Sequence, residues 1–383
     1  MAASAGSNTL TGLLPIIYEA MDVIPRELVG ALGAVTLDPS AEMAGLNQTI
    51  RSHIVPVATA VDIAPGVTNT NGAGATIGYA DLVISNAKNS PILWSGEEQL
   101  LLKDQYAGVV KDQFSQAFRT LGNLIEADVV AKAAAGASRA TGTAGTTPFG
   151  TNGDLSDFAG AVQLLDDNGA PQLDRSLILG TAAANSIRAK QALLVKANEA
   201  ATTNLLRRGI IDPVFGLDVK SSGQIKAGAA VGTGTAYVLN GAHAVGATTI
   251  TVKTGSGTIL AGDVVTINSV KYVVQTGTAA PGTITIAAPG LVAAGVDGNT
   301  VAVNAVSVKN VALQKAGFLL ATRLPAMPLG GDSASDMTVV TDPVSGLSFQ
   351  IALYRQYRQI TIDVAIAWGC KVLRSEYLGL VLG

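Results

Sequence analysis

The most constraining feature of this chain is a long helical pattern that begins at Ser95-Gly96-Glu97-Glu98. In a capping box a serine side chain accepts the amide three residues on, and the glutamate there reaches back to the serine amide. Ser95 and Glu98 have that spacing, so a helix is expected to open there. Apolar residues then recur at Leu102, Tyr106, Val109, Val110, Phe114, Ala117, Phe118, Leu121, Leu124, Ile125, Val129 and Val130, the spacing of one helical face. The pattern runs out in the glycine-rich segment after Ala135. Some 40 residues at about 1.5 Å each predict a rod of roughly 60 Å, far beyond the average helix. Gly108 and Gly122 are candidate bend points, and the absence of strict heptads argues against a coiled coil.

The stretches on either side follow different rules. Residues 1–50 carry short helical patterns, one of which Pro25 could open with Leu28, Val29 and Leu32 on one side, and read as an arm. Residues 51–94 read as an extended hairpin: strands at His53–Ile63 and Ile77–Lys88 flank a Gly/Asn/Pro-rich tip at Pro65–Ala75. Such a hairpin is marginal alone and needs a surface to lean on. After the helical region, 95–153, Asp154 is placed to cap a helix ending near Asp167, Ser176–Leu179 reads as a buried strand, and a second helical stretch runs from Ala182 to Arg208. Short strands are expected around Ile210, Val214 and Leu217, within a unit spanning 154–226.

Composition shifts at 227–305, where Gly, Thr, Val and Ala dominate. Strand-like runs at Ala236–Leu239, Thr249–Val252, Val264–Ile267, Tyr272–Val274, Thr283–Ile286 and Val301–Val303 alternate with turn signals such as Pro281-Gly282 and Asp297-Gly298. Six short strands at this spacing suggest a small inserted β-barrel or sandwich. Helical content is expected to resume after Ala305, followed by two long strands around Asp342-Pro343-Val344-Ser345-Gly346 and an apolar tail, within 306–383. The fold class is therefore α+β with an all-β insertion.

Composition also excludes function classes. Charged residues make up 14% of the 383-residue chain and apolar ones 48%, against roughly 25% charged in ordinary soluble proteins. No run approaches the roughly 18 apolar residues of a membrane span. The excess is spread as Ala and Val, as expected of a protein whose surface is covered by neighbours, an obligate oligomer. The N-terminus has no basic residue before Arg26, so no export signal is expected. A net charge of -3 with no basic tail argues against a dedicated nucleic-acid binder. Cys370 is the single cysteine, and His53 and His243 are the two histidines. None has a nucleophile or metal motif around it, so no catalytic residue, metal or cofactor site is expected. The runs Gly72–Gly78 and Lys253–Thr258 lack the spacing of phosphate loops. Tyr354-Arg355-Gln356-Tyr357-Arg358-Gln359 interleaves aromatics and cations, but a strand would show one Arg per face, so it reads as a sheet strand with polar edges. The pairs Glu97-Glu98 and Asp166-Asp167 read as helix-end charges rather than paired catalytic carboxylates.

The order of parts (arm, hairpin, very long helix, α/β unit, inserted β-module, closing strands) resembles the fold of tailed-phage and herpesvirus capsid proteins. In that family the parts are the N-arm, E-loop, spine helix, P-domain and A-domain, and the insertion is similar to that of podovirus-type coat proteins. Leu206-Arg207-Arg208-Gly209-Ile210-Ile211 with Val214-Phe215-Gly216-Leu217-Asp218-Val219, and Thr341-Asp342, Ser345-Gly346-Leu347-Ser348 and Trp368-Gly369-Cys370-Lys371-Val372-Leu373-Arg374, are similar to the family's turn before the insertion and its closing strands. The resemblance implies a non-enzymatic major capsid protein that forms hexamers and pentamers of an icosahedral shell. It also implies procapsid assembly in the host bacterial cytoplasm around a separate scaffolding protein, a portal protein, and expansion of the virion shell around double-stranded DNA held by weak, non-specific contact, with no membrane partner. Tyr18, Arg26, Lys88, Trp94, Glu97, Glu98 and Phe114 are the expected inter-subunit contacts. The alternatives are an encapsulin-type compartment shell and a carbohydrate-binding or adhesive surface protein.

Overall fold

The computed structural model describes residues 10–23, 30–54, 60, 77–102, 105–151, 154–189, 213–226, 228, 231–343 and 345–383. The chain begins with α1 (Leu10–Val23), β1 (Thr36–Ala44), β2 (Thr49–Ile54), β3 (Gly78–Val83), β4 (Asn86–Ser95), α2 (Gly96–Leu102), α3 (Tyr106–Gly136) and β5 (Arg139–Gly142). Next come α4 (Ser156–Asp167), β6 (Arg175–Leu179), α5 (Thr181–Ala189) and β7 (Asp218–Ser221). Six strands follow: β8 (Thr235–Leu239), β9 (Thr249–Ser256), β10 (Val264–Ile267), β11 (Val270–Thr276), β12 (Gly282–Ile286) and β13 (Thr300–Val303). The last stretch holds β14 (Lys309–Gln314), β15 (Phe318–Pro325), β16 (Asp336–Thr341), β17 (Ser348–Gln356), β18 (Gln359–Val372) and β19 (Leu378–Leu382). The fold is α+β.

The capping box closes as expected. The Ser95 amide donates to the Glu98 carboxylate at 2.9 Å, and the Glu98 amide donates to Ser95 Oγ at 3.3 Å. The helix it opens is described in two pieces, α2 and α3, rather than as one rod. The 31-residue α3 spans about 46 Å at 1.5 Å per residue. Val110, Phe114, Phe118, Leu121, Ile125 and Val129 are buried along it, whereas Leu124, expected on the same face, is exposed. One apolar cluster gathers α3 with Ile362, Val364 and Ile366 of β18 and with Val311, Leu313 and Leu380 of β14 and β19. The helix is thus the beam onto which two sheets are packed.

The first sheet runs β1-β15-β18-β17-β16, with β4 also on β18. β1 lies parallel to β15, so the arm adds a strand to its own chain's sheet. The expected helix at Pro25 falls outside the described residues, as do the hairpin tip and the motif Leu206–Ile211. The expected strand Ile77–Lys88 is two strands. β3 ends at Val83, where Asn47 and Gln48 exchange backbone hydrogen bonds with Ile84. β4 then joins the other sheet along ten residues of β18. Lys88 therefore sits on β4 opposite Ile366, not on the hairpin.

The second sheet corrects one expectation and sharpens another. The apolar run after Ala305 forms β14 instead of a helix, because Val311, Ala312 and Leu313 are buried between β6 and β19. A fully buried strand and a buried helix look alike in sequence over so few residues. The six strands of 235–303 form a ring, β10-β13-β8-β9-β12-β11, closed by pairing of β11 with β10. Alternation sends Tyr237, Leu239, Ile250, Val252, Val265, Ile267, Val274, Ile284 and Ile286 into its own core. Gly255, at φ +38°, lets the chain lie against the Tyr237 ring, where a Cβ would come within 2.5 Å. The barrel is not separate from the rest: Lys271 and Tyr272 of β11 pair with Ala140 and Arg139 of β5. From β5 the sheet continues through β19, β14, β6 and β7.

The Tyr354–Gln359 segment is likewise not one strand. Gln356 pairs with Gln359 across the β17–β18 turn, Arg358 takes φ 56°, and Tyr357 is exposed at the tip. The Arg358 carbonyl accepts the Gly96 amide at 3.0 Å, which ties this turn to the start of α2.

Candidate assembly surface

The arm is positioned by a buried carboxylate. Glu126, on α3, is fully buried, and its Oε1 accepts the amides of Gly30 at 3.0 Å and Ala31 at 2.8 Å while Oε2 accepts Leu32 at 3.0 Å. Ser222, just after β7, bonds the same carboxylate. Burial holds the Glu126 pKa above the ordinary carboxylate value, against the lowering effect of those donors. Gly30 is pressed so closely on the Ser221 carbonyl that a Cβ would meet it at 2.6 Å. Before this clasp, α1 packs Ile17, Ala20 and Met21 into the main core, and Glu19 pairs with Lys111 of α3. After it, Asp38 of β1 receives Arg323 at 2.8 Å. The described arm therefore lies on its own chain.

A second carboxylate, Asp128, joins α3 to the first sheet. Its Oδ2 accepts Trp368 Nε1 and Asn86 Nδ2, both at 3.2 Å, and the Cys370 thiol at 3.0 Å, with Lys132 Nζ at 3.4 Å. Burial, then the neighbouring Asp128, push the Cys370 thiol well up. Residues 368 and 370 point to this side of β18, and Gly369 points to the other. There β3 crosses so tightly that a Cβ on Gly369 would lie 2.2 Å from the Val83 carbonyl. Around this contact Ala44, Leu82, Ile84, Leu319, Ala321 and Ala367 form a small core that seats the hairpin base.

The hairpin's other face is open. His53 pairs with Tyr79, Arg51 with Asp81 and Thr49 with Val83, and Tyr79 and Val83 are exposed. The Arg51 guanidinium bonds Asp81 at 2.9 Å and lies 4.1 Å from the Tyr79 ring centre. His53 is thus exposed on a strand pair, while His243 sits in a bridge with Gly295, its ring 3.3 Å from Thr251 Oγ1. Asp166 pairs with Arg175 at 2.7 Å, the helix-end role expected of it.

The expected contact residues separate into two groups. Tyr18, Lys88, Glu97 and Glu98 are exposed, and the Ser95 hydrogen bonds hold Glu98 below its usual carboxylate range. Trp94 and Phe114 are buried within the chain. Trp94 stacks edge-on against Tyr106 at 5.2 Å and donates to Gln113 at 2.8 Å, and Phe114 is fully buried in the main core. Arg26 lies outside the described residues. Helix α2 buries none of its side chains; Leu100 and Leu101 are 73% and 84% exposed, and Leu93 of the preceding strand β4 is 56% exposed. The sequence reading missed this leucine group because it counted only the helical face that begins at Leu102. It also missed Glu126, which lies between Phe118 and Val130 on the buried stripe. A lone acid there is the signal, since carboxylates are rarely buried without partners.

No family model matches this sequence, and no curated protein sequence matches it. Solved structures are similar to it. A structure of mycobacterium phage Che8 is 11% identical, with 94% of this chain and 90% of that one covered at a TM-score of 0.47. The capsid of cyanophage P-SCSP1u is 13% identical, with 91% and 86% covered at 0.49. The mature capsid of bacteriophage PhiM1 is 10% identical, with 91% and 85% covered at 0.47. Among the described residues no helix is long and apolar enough to cross a membrane.

Proposed function

We propose that this chain is the shell subunit of a tailed-phage capsid, a protein whose activity is assembly with copies of itself. The observation that carries the reading is α2 and its surroundings: a helix with no buried side chain, tied by Gly96 to the β17–β18 turn, leaves Leu100 and Leu101 exposed, and Leu93 is exposed on the strand that leads into it. Burying each leucine is worth roughly 1.5–3 kcal/mol, an amount a free monomer would forgo. The arrangement of arm, hairpin, beam helix, inserted barrel and closing strands supports the same reading. In it, Tyr18, Lys88, Glu97 and Glu98 join the leucines as inter-subunit contacts, and Trp94 and Phe114 support them from within. The subunits form hexamers and pentamers, close around a scaffolding protein and a portal, and expand as double-stranded DNA enters.

Electron microscopy of the expressed chain, with and without its scaffold, tests this. Closed shells are expected, and the double variant Leu100→Ser/Leu101→Ser should stay unassembled while its circular dichroism matches the parent. A parent chain that remains monomeric even with scaffold and crowding would refute the proposal. Shells filled with an enzyme rather than DNA in the native particle would favour a cellular compartment instead.

A further inference from the structure

The side of the first sheet away from α3 carries a cavity of about 100 Å³ under the loop after β15. The register places its polar lining on one face: Gln350 opposite Ala365, Ala352 opposite Asp363, and Tyr354 opposite Thr361. Asp332 reaches in from the loop and accepts the Tyr354 hydroxyl. Asp363 accepts Asn89 of β4 at 2.9 Å. Among the described residues no lysine or arginine lines the cavity, although two carboxylates do. Gln350 is only 7% exposed, and its Oε1 has no hydrogen-bond partner. A buried acceptor without a donor is uncommon and costly, and a bound ion is one of the few arrangements that satisfies it.

We propose that this cavity binds a hard divalent cation, Ca²⁺ foremost, through the carboxylates of Asp332 and Asp363 and the side-chain carbonyl of Gln350. Ca²⁺ accepts six to eight oxygens in irregular geometry, including carboxylates, amide carbonyls and water, whereas Mg²⁺ demands a near-ideal octahedron. An oxygen set drawn from a loop and a strand pair suits the first ion better. With only two carboxylates the affinity belongs in the range of about 10⁻⁴–10⁻³ M, typical of weak calcium modules. The bound ion would pin the loop around Asp332 to β17 and β18 and, through Asn89, to β4. Tyr354 acts as a positioning residue for Asp332.

Tb³⁺ bound here lies beside the Tyr354 ring, so the full-length chain excited in its tyrosine band should show saturable Tb³⁺ emission that Ca²⁺ displaces. Millimolar Ca²⁺ should also raise its melting temperature relative to EDTA. Asp332→Asn, at an exposed position, should fold normally and bind at least about tenfold more weakly. Asp363→Asn should abolish the calcium response while melting in EDTA no lower than the parent, because it removes a half-buried charge. The proposal is overturned if the parent shows no Ca²⁺-displaceable emission, or if both variants respond to Ca²⁺ as the parent does.

Discussion

Replacing Glu126 with alanine should free the segment at residues 30–32 from α3. Three consecutive amides end on this carboxylate at 2.8–3.0 Å, and it is fully buried. Hydrogen bonds to a charged group contribute about 1.5–3 kcal/mol each, and each amide left unpaired costs about 1–3 kcal/mol. These terms are not additive, and a surface segment can relax toward water, so the lower end applies: about 3 kcal/mol in total. That corresponds to a fall of roughly two orders of magnitude in amide exchange protection. Hydrogen exchange at Gly30, Ala31 and Leu32 reads it directly, with the barrel amides as an internal control. Glu126→Gln keeps one acceptor but turns an NH₂ toward the Leu32 amide, so it should lose about 1–2 kcal/mol. The pH dependence separates the two variants from the parent. Because burial raises the folded-state pKa, the folded parent binds the proton more tightly than the unfolded chain does. Its contribution is fully present below the ordinary carboxylate value and declines as pH rises through the folded value. Both variants lack this decline. Unchanged protection at residues 30–32 in Glu126→Ala would refute the clasp.

Two glycines on either side of the same core should respond in opposite directions. Gly369→Ala must push β3 away from β18, since its Cβ would sit 2.2 Å from the Val83 carbonyl; a loss of about 1–3 kcal/mol and reduced exchange protection in β3 are expected. Gly122→Ala, with nothing within 4 Å, should stabilise α3 by up to about 1 kcal/mol, measured as a rise in melting temperature. Cys370 should resist maleimide at neutral pH in the folded chain and react fully in urea, because burial and Asp128 disfavour its thiolate; rapid labelling of the native protein would contradict this.

Much of the fold was legible because it rests on local rules. The capping box at Ser95, the apolar face of α3 and all six barrel strands follow from side-chain spacing and turn residues, which act over a few positions. Gly216, at φ +76°, marks a turn that only a glycine-like conformation permits. What was misread depended on neighbours remote in sequence. The run at Val311–Leu313 became a strand because β6 and β19 flank it, and Ile77–Lys88 divided because β18 offered β4 a longer partner than the hairpin did. Trp94 and Phe114 looked like contact residues and turned out to be core, since an apolar side chain in sequence does not say whether its own chain or another covers it.

By itself the sequence determined the inventory: a long helix, a hairpin, a β-module poor in charge, closing strands, and a low overall share of charged groups. Only the tertiary structure decided how the parts are joined. It closed the barrel and fused it to β5, laid the arm on its own chain, and set Glu126 and Asp128 at the junctions. It also left Leu93, Leu100 and Leu101 outside. The reason is physical: periodicity reports which face of an element is apolar, but burial depends on what the rest of the chain brings against that face.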